Sequence, residues 1–226
     1  MLALSLRSQG ADSDELYGDR GRDTIRGGDG DDIIFGNTNV QGDPDDSDWL
    51  EGGAGADFVQ GNVGRDTVLG GDGADTLRGG ADDDTVEGGA GADLLWGDLG
   101  IDRLTGGSED DVFAFLAGHS AIGPDLASLD RITDFDQAGD DRLDLGAAGT
   151  DANYREAGQT AGAYEEALAL ANGLLGGAVI YAAVGFNNGA EAGVLVFWDA
   201  NGDGDADLAI MLGFADIGQI DALDII

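Results

Sequence analysis

The chain has 226 residues, with 46 acidic against 10 basic residues and a formal net charge of −36 at pH 7. This charge excludes binding to nucleic acid or to an anionic membrane by electrostatic attraction, and it makes divalent cations the natural counter-charge. Cysteine is absent, which excludes disulfides and thiol chemistry.

Residues 1–8 form a short lead-in segment. Met1–Arg7 has no basic n-region, and its apolar stretch is too short for a secretory signal peptide. No run in the chain approaches the roughly eighteen apolar residues of a membrane span. We therefore expect any export to depend on another address.

Residues 9–115 carry a nonapeptide repeated eleven times, with the pattern Gly-Gly-x-Gly-x-Asp-x-U-x, where U is a bulky apolar residue. The clearest copy is 27–35, and the repeat at 36–51 is longer by an insertion around Thr38–Pro44. This pattern is a known signature of calcium-binding parallel β-helix repeats. The column at position six reads Asp14, Asp23, Asp32, Asp48, Asp57, Asp66, Asp75, Asp84, Asp93, Asp102 and Asp111. The column at position eight reads Leu16, Ile25, Ile34, Leu50, Val59, Val68, Leu77, Val86, Leu95, Leu104 and Phe113.

Each repeat predicts a glycine-rich turn followed by a strand x-U-x, of which only the middle side chain points inward. Burying that side chain contributes roughly 1.5–3 kcal/mol, whereas ordering each residue costs about 1–2 kcal/mol. The repeats must therefore stack and must also gain stability from another source. Calcium provides it, because this ion prefers carboxylate and carbonyl oxygens. Without calcium, we expect a disordered low-complexity chain.

Two repeats per flattened coil would stack turn n on turn n+2, with one calcium ion between them. This arrangement pairs the aspartates Asp14 with Asp32, Asp57 with Asp75, Asp66 with Asp84, Asp75 with Asp93, Asp84 with Asp102, and Asp93 with Asp111. The insertion makes the pairing of Asp23 with Asp48 doubtful.

Residues 116–226 form a second predicted domain. It opens with a linker, residues 116–128, which contains the one histidine, His119. Ala163–Asn172 is predicted as a helix that ends at Gly173. The helix either forms a surface for a partner or packs on a small sheet, and packing is the favoured alternative. The predicted strands are Arg131–Phe135, Arg142–Leu145, Ala178–Val184, Val194–Trp198 and Leu208–Leu212.

Two acidic clusters lie in this second domain. The segment 130–145 alternates aspartate with aliphatic residues. The segment 199–207 begins like a calcium loop, with Gly204 at position six, but position twelve is Ile210 rather than glutamate, which excludes an EF-hand. The sequence leaves a metal-binding loop and a solvated acidic hairpin both open. The candidate ligands in it are Asp199, Asn201, Asp203 and Asp207.

Together, the repeats of 9–114, the segments 130–145 and 197–212, and the acidic-then-hydrophobic ending 222–226 resemble the C-terminal half of the serralysin family and of other RTX exoproteins. The resemblance covers nearly the whole chain. The fold expected is all-β: a parallel β-roll with two nonapeptides per coil, followed by a small β-sandwich-like C-terminal domain with one helix. The resemblance also implies a C-terminal signal for a type I secretion apparatus.

The resemblance further implies that the position-six aspartates bind calcium together with backbone carbonyls of positions two and four of one turn and one and three of the next. Several repeats depart from the pattern. Gln9 replaces the glycine of position one, and Asp19, Asn62 and Asp98 replace that of position two. The glycine of position four is replaced by Asp82 and Glu109. We expect these departures to weaken individual sites. The glycines implied as carbonyl ligands are Gly28, Gly30, Gly53, Gly55, Gly64, Gly71, Gly73, Gly80, Gly89, Gly91 and Gly100.

No catalytic motif accompanies the repeats. The zinc motif of the family's protease portion needs two histidines, and the chain has one. A carboxylate-pair hydrolase stays formally open, although the repeat accounts for most of the carboxylates. The leading hypothesis is a secreted, extracellular, non-catalytic calcium module that interacts with calcium and a type I exporter and neither binds nucleic acid nor inserts into membranes. The alternatives are a structural or adhesive surface protein and the tail of a longer exoenzyme.

Overall fold

The structure is a computed structural model. It describes residues 5–7, 11–37, 47–116, 125–135, 140–146, 154–175, 181–213 and 225–226. Within these ranges no helix is long and apolar enough to cross a lipid bilayer.

Strands of the repeat region alternate between two parallel sheets, which confirms a β-roll with two nonapeptides per coil. In the regular run, partner strands such as those of Leu94 and Thr76 are one coil apart in the same sheet. Sheet A begins with β1 (Ser5–Arg7), β3 (Thr24–Asp29), β5 (Trp49–Ala54), β7 (Thr67–Asp72), β9 (Thr85–Ala90) and β11 (Arg103–Ser108). Sheet B begins with β2 (Glu15–Tyr17), β4 (Ile33–Phe35), β6 (Phe58–Val63), β8 (Thr76–Ala81), β10 (Leu94–Leu99) and β12 (Val112–Ala114).

Most of these strands are longer than the three-residue x-U-x segment predicts. In β7, for example, the strand continues through the two glycines that open the next repeat. The cause is the pairing register, in which Gly53 lies opposite Gly71 and keeps the glycine pair extended. The turn is therefore confined to positions four to six.

The core of the roll is a single column of apolar side chains at position eight. Its members from Ile25 to Phe113 are fully buried, while Leu16 is only partly buried at the open end. One buried side chain per strand is the thin core expected from the sequence. Burial alone therefore stabilises each coil weakly.

Both sheets continue beyond the last repeat. In sheet A, β13 (Asp130–Ile132) pairs with β11, and in sheet B, β14 (Arg142–Asp144) pairs with β12. Sheet hydrogen bonding therefore continues past residue 115 in both sheets. The division of the chain into two domains at that residue stays a prediction.

Sheet A then gains four strands of the C-terminal part. Its β18 (Leu208–Gly213) pairs in parallel with β13, and antiparallel β17 (Ala192–Trp198) and β16 (Tyr181–Asn187) follow. The edge strand β15 (Tyr154–Ala161) pairs in parallel with β16. One face of these strands adds to the core of the roll, and the other packs against a helix.

That helix, α1 (Tyr164–Leu174), packs on β15 and β16 through Tyr164, Ala167 and Ala171. Of the two alternatives given by the sequence, the structure therefore shows the helix packed on the sheet. Gly173 was predicted to stop the helix, but it lies inside the last turn, and the C-cap is Leu175. A short 3-10 helix (Leu126–Ser128) lies in the predicted linker, capped by Asp125.

The end of the chain contacts the last strand of sheet B. Ile225 forms a parallel bridge with Leu143 and is buried in the core shared with the roll. The backbone N–H of Ile226 donates to the carbonyl of Leu143 at 2.8 Å. Sheet B is therefore covered at this edge by the chain itself.

Candidate metal centre

The position-six aspartates form two columns, one along each side of the roll. Because successive strands enter opposite sheets, one column takes Asp14, Asp32, Asp57, Asp75, Asp93 and Asp111, and the other takes Asp23, Asp48, Asp66, Asp84 and Asp102. All of them except Asp14 are buried, with at most 3% of their surface exposed. The stacked neighbours include all six pairs expected from the sequence, together with Asp32 on Asp57 and Asp48 on Asp66.

A hydrogen bond links each aspartate to the next one in its column. The backbone N–H of Asp57 donates to Oδ1 of Asp75 at 2.8 Å, and the N–H of Asp66 donates to Oδ1 of Asp84 at 2.8 Å. The doubtful pair is also stacked, since the N–H of Asp23 donates to Oδ1 of Asp48 at 2.8 Å. The insertion therefore leaves the column intact.

The second carboxylate oxygen, Oδ2, is buried and has no hydrogen-bond partner among the described residues in Asp32, Asp57, Asp75, Asp84, Asp93 and Asp102. A buried charged oxygen without a partner is costly, because it loses its hydration without replacement. A row of such atoms at a fixed repeat indicates a missing cationic partner.

The position-one glycine leaves space beside this oxygen. A Cβ on Gly70 would lie 2.3 Å from Oδ2 of Asp75 and 2.5 Å from the carbonyl oxygen of Gly88 in the next coil. The same holds at Gly88, with Asp93 Oδ2 at 2.3 Å and the Gly106 carbonyl at 2.4 Å. A carboxylate and a carbonyl oxygen thus approach one small volume, and both are ligand types that Ca²⁺ prefers. The residues present fit calcium.

Positions two and four bring further carbonyl groups to the stacked turns. The carbonyl oxygen of Gly53 approaches the face of Gly71, where a Cβ would lie only 2.0 Å away. All the glycines implied as ligands have positive φ, and so do the departures Asn62, Asp82, Asp98 and Glu109. These four residues therefore keep the backbone conformation of the glycines that they replace. Calcium ligation by these individual residues stays a prediction.

The described side chains alone do not form a metal site. Within the described part of the chain, no three His, Cys, Asp or Glu side chains converge as a metal site. A calcium site between two turns of this roll must therefore take most of its oxygen ligands from the backbone, which Ca²⁺ readily accepts.

Burial raises the pKa of several column carboxyls above the ordinary value of 3.8. The pKa of Asp57 rises to about 6, that of Asp93 to about 7 and that of Asp84 to about 9. Loss of hydration is the largest cause, and the hydrogen bond from the preceding coil partly opposes it. Without a cation, the folded roll therefore favours protonated carboxyls.

In the presence of a chelator, lowering the pH from about 8 to about 5 should favour the folded roll. Since the folded pKa values exceed the unfolded one, this stabilisation is complete below the unfolded pKa and is lost as the pH rises through about 6 to 9. Far-UV circular dichroism of the chelated chain against pH measures it. In calcium titrations the trend should be opposite. The calcium concentration at the midpoint of folding should be higher at low pH, because protons compete with calcium for the same oxygens. A chelated chain with more β-structure at pH 8 than at pH 5 would contradict this prediction.

Replacing Gly70 with alanine should raise the calcium concentration needed for folding. The added methyl group would occupy the space between Asp75 Oδ2 and the Gly88 carbonyl. The control is Gly173→Ala, where the new Cβ meets no described atom within 4 Å and alanine favours the helix by up to about 1 kcal/mol. Calcium titration followed by circular dichroism compares the two variants. Identical midpoints would show that the space beside the carboxylate is not used.

Two aspartates extend the columns beyond the eleven repeats. The N–H of Asp102 donates to Oδ1 of Asp130 at 2.9 Å, and the N–H of Asp111 donates to Oδ1 of Asp141 at 3.0 Å. Both carboxylates are buried. The sequence analysis placed them in an acidic cluster of the second domain. The signal that could have found them is the spacing Asp-x-aliphatic, which Ile132 and Leu143 complete.

The acidic loop 199–207 uses its oxygens internally. The carboxylate of Asp199 accepts hydrogen bonds from the N–H groups of Gly202 and Gly204, and that of Asp207 accepts from Ala200 and Asn201. Asn201 in turn accepts from the N–H of Asp203. These bonds shape a turn between β17 and β18, and metal binding at the loop stays a prediction. His119 and residues 38–46 lie outside the described residues.

Comparison with known families bears on the repeats. The family model of the RTX calcium-binding nonapeptide repeat (4 copies) matches residues 8–39, 45–77, 69–104 and 88–120. These matches cover the strands and both aspartate columns up to Asp111. No curated protein matches the chain.

Proposed function

This chain is an RTX calcium-binding protein, and we propose that calcium folds it outside the cell after export by a type I secretion apparatus. The proposed role is that of a non-catalytic module for export and extracellular stability. The observation that carries the proposal is the row of buried aspartate Oδ2 atoms without hydrogen-bond partners among the described residues.

Calcium would act as the counter-charge that the roll lacks. It would be held by the position-six carboxylates and by carbonyl groups of two stacked turns. When bound, it supplies positive charge to oxygens that are otherwise buried without compensation. A ligand that binds only the folded state stabilises it by RT ln(1 + [L]/Kd), so several sites together make folding steeply dependent on calcium.

The proposed place of folding follows from this dependence. In a cytoplasm poor in calcium, the net charge of −36 and the thin core favour an extended chain. An extended chain suits passage through a narrow exporter. The buried position of Ile225 agrees with this order of events, since a terminus held in the core is accessible to an exporter only before folding.

The proposed role is binding rather than catalysis. The buried aspartates of the roll are engaged in the ladder of backbone hydrogen bonds, for example at Asp75 and Asp84. Their regular spacing along the roll is that of a structural repeat rather than of a single reactive centre.

Deleting residues 218–226 should abolish secretion from a cell that carries a type I exporter. The matched control is Asp75→Ala, which weakens the calcium site but keeps the C-terminal end, and which we expect to be exported. The deletion also removes the buried Ile225, so some loss of stability should accompany it, measured by thermal unfolding in calcium. Secretion of the truncated chain at the full-length rate would overturn the C-terminal address and favour the alternative of a structural or adhesive surface protein.

A further inference from the structure

Arginines on the outer face of sheet A lie in two different environments. Near the start of the roll, Arg26 lies directly opposite Glu51 on the next strand, and its Nε donates to the Glu51 carboxylate at 2.7 Å. At the other end of the roll, Arg103 lies directly opposite Arg131, on the paired strands β11 and β13. Like charges that face each other across two strands destabilise a sheet. The pair of Arg103 and Arg131 is therefore an arrangement that the fold alone does not favour.

Among the described residues, only one of these two guanidinium groups has an ionic partner. The Nη1 group of Arg131 donates to Oε1 of Glu191 at 2.8 Å, in the turn between β16 and β17. Arg103 forms neither an ion pair nor a hydrogen bond within the described part of the chain. On β9 it faces Thr85, and the carboxylate of that strand, Glu87, lies two residues further along. Two cations and one carboxylate leave one positive charge here, in a chain whose net charge is −36.

Both arginines line a cavity of about 290 Å³ on this face. The lining comes from β11, β13 and β18 and from the turn before β17, where Glu191 lies between two alanines. Thr133 contributes a hydroxyl group, which is hydrogen-bonded to that of Thr105 at 2.7 Å. Met211 of β18 and the two alanines contribute apolar surface. The cavity therefore combines guanidinium groups and a hydroxyl group with apolar side chains.

A carboxylate is the ligand that this combination fits. A guanidinium group presents a planar fork of N–H donors, which matches the geometry of a carboxylate or a phosphate. The charge decides between the two. One uncompensated positive charge matches a monoanion, and the Glu191 carboxylate in the lining repels a dianion more strongly. Apolar groups such as Met211 favour a ligand with a short carbon body, and the cavity volume limits it to a small molecule.

We propose that this cavity is a binding site for a small monocarboxylate, held by Arg103 and Arg131. The carboxylate of the ligand bridges the two guanidinium groups and removes the repulsion between them, and its carbon body packs on Met211. The arginines lie on the outer face of sheet A, apart from the buried Oδ2 atoms of the aspartate columns. The inference therefore does not depend on where calcium ions bind.

Binding of butyrate to the full chain tests the site, in saturating calcium and at constant ionic strength. Butyrate should shift the Nε–H signals of Arg103 and Arg131 in NMR spectra in a saturable manner. Butyramide, which has the same carbon body without the charge, should leave them unchanged. Sulfate should bind more weakly than butyrate, because it is a dianion. Tighter binding of sulfate, or a response to butyrate that does not saturate, would overturn the proposal.

Two matched variants locate the binding. Arg103→Gln should weaken butyrate binding about tenfold or more, because it removes a charged donor of the ligand. Arg26→Gln removes the same charge from the same sheet face and should leave the affinity unchanged. An equal loss of affinity in the two variants would show a general effect of charge and would contradict a site at Arg103.

Stability provides a test that does not depend on the choice of probe. Both variants increase the net negative charge equally. Arg103→Gln should nevertheless have the higher Tm in calcium, because it relieves the repulsion with Arg131. Arg26→Gln loses the ion pair with Glu51 and the contact of the guanidinium with the Trp49 ring, 4.5 Å from its centroid. A Tm of Arg103→Gln at or below that of Arg26→Gln would mean that Arg103 serves the fold itself, and the proposal would fall.

Discussion

Removing calcium with a chelator at neutral pH should convert the chain from a β-rich fold to a largely unfolded one. The roll buries a column of carboxylates whose Oδ2 atoms have no partner among the described residues, and its core holds one apolar side chain per strand. Without a cation, each buried charge costs more than the thin core contributes. Far-UV circular dichroism and small-angle scattering, with and without calcium in the millimolar range typical of weak extracellular sites, measure the change.

Magnesium is the control for this experiment. It demands near-octahedral geometry and shorter metal–oxygen distances, and it gives up water reluctantly. Carbonyls fixed by two stacked turns do not adapt to that geometry, so magnesium should not restore the fold. An identical spectrum in calcium and in chelator would refute a calcium-folded roll.

Asp75→Ala should raise the calcium midpoint of folding much more than Asp14→Ala. Asp75 lies between two coils: its Oδ1 accepts from the N–H of Asp57, and its own N–H donates to Asp93. Truncation removes a proposed calcium ligand, and it leaves the buried N–H of Asp57 without its acceptor, at a cost of about 1–3 kcal/mol. Calcium titrations followed by circular dichroism give both midpoints.

Asp14 provides the comparison because it lies half-buried in the first coil. Its N–H donates to Oδ1 of Asp32, a bond that alanine keeps. Fraying at the end of a stacked array also costs less than a break in its middle, since stability in such arrays comes from nearest neighbours. Equal shifts for the two variants would argue against stacking as the source of stability.

The repeat region could be predicted because its period is a physical constraint. An aspartate and an apolar residue at fixed phase specify the two columns and the core, and the register of Thr67 with Thr85 follows from two repeats per coil. Asp130 and Asp141 were not assigned to the columns, because their partners lie 28 and 30 residues earlier instead of 18. Once more residues separate two stacked aspartates, the 18-residue spacing no longer predicts which aspartates are stacked.

Other features depend on contacts that a linear pattern does not contain. The side-chain amide of Asn37 donates a hydrogen bond to the carbonyl of Val63, and that of Asn62 donates one to the carbonyl of Asn37. These bonds join different coils, so they form only when the coils are stacked. Strand β15 was not predicted, since Tyr154–Ala161 lacks an alternation of apolar and polar residues. Its extended form comes from pairing with β16.

The alternation of repeats between the two sheets limits how such a chain can evolve. Duplicating a single nonapeptide would move every later strand to the opposite sheet. β13 would then no longer continue the sheet that carries β18, and the C-terminal strands would lose their attachment. Duplication of two repeats at once keeps each strand in its sheet, and the insertion of repeat four leaves Asp48 stacked between Asp23 and Asp66. Natural variants of this roll should therefore differ in length by whole coils.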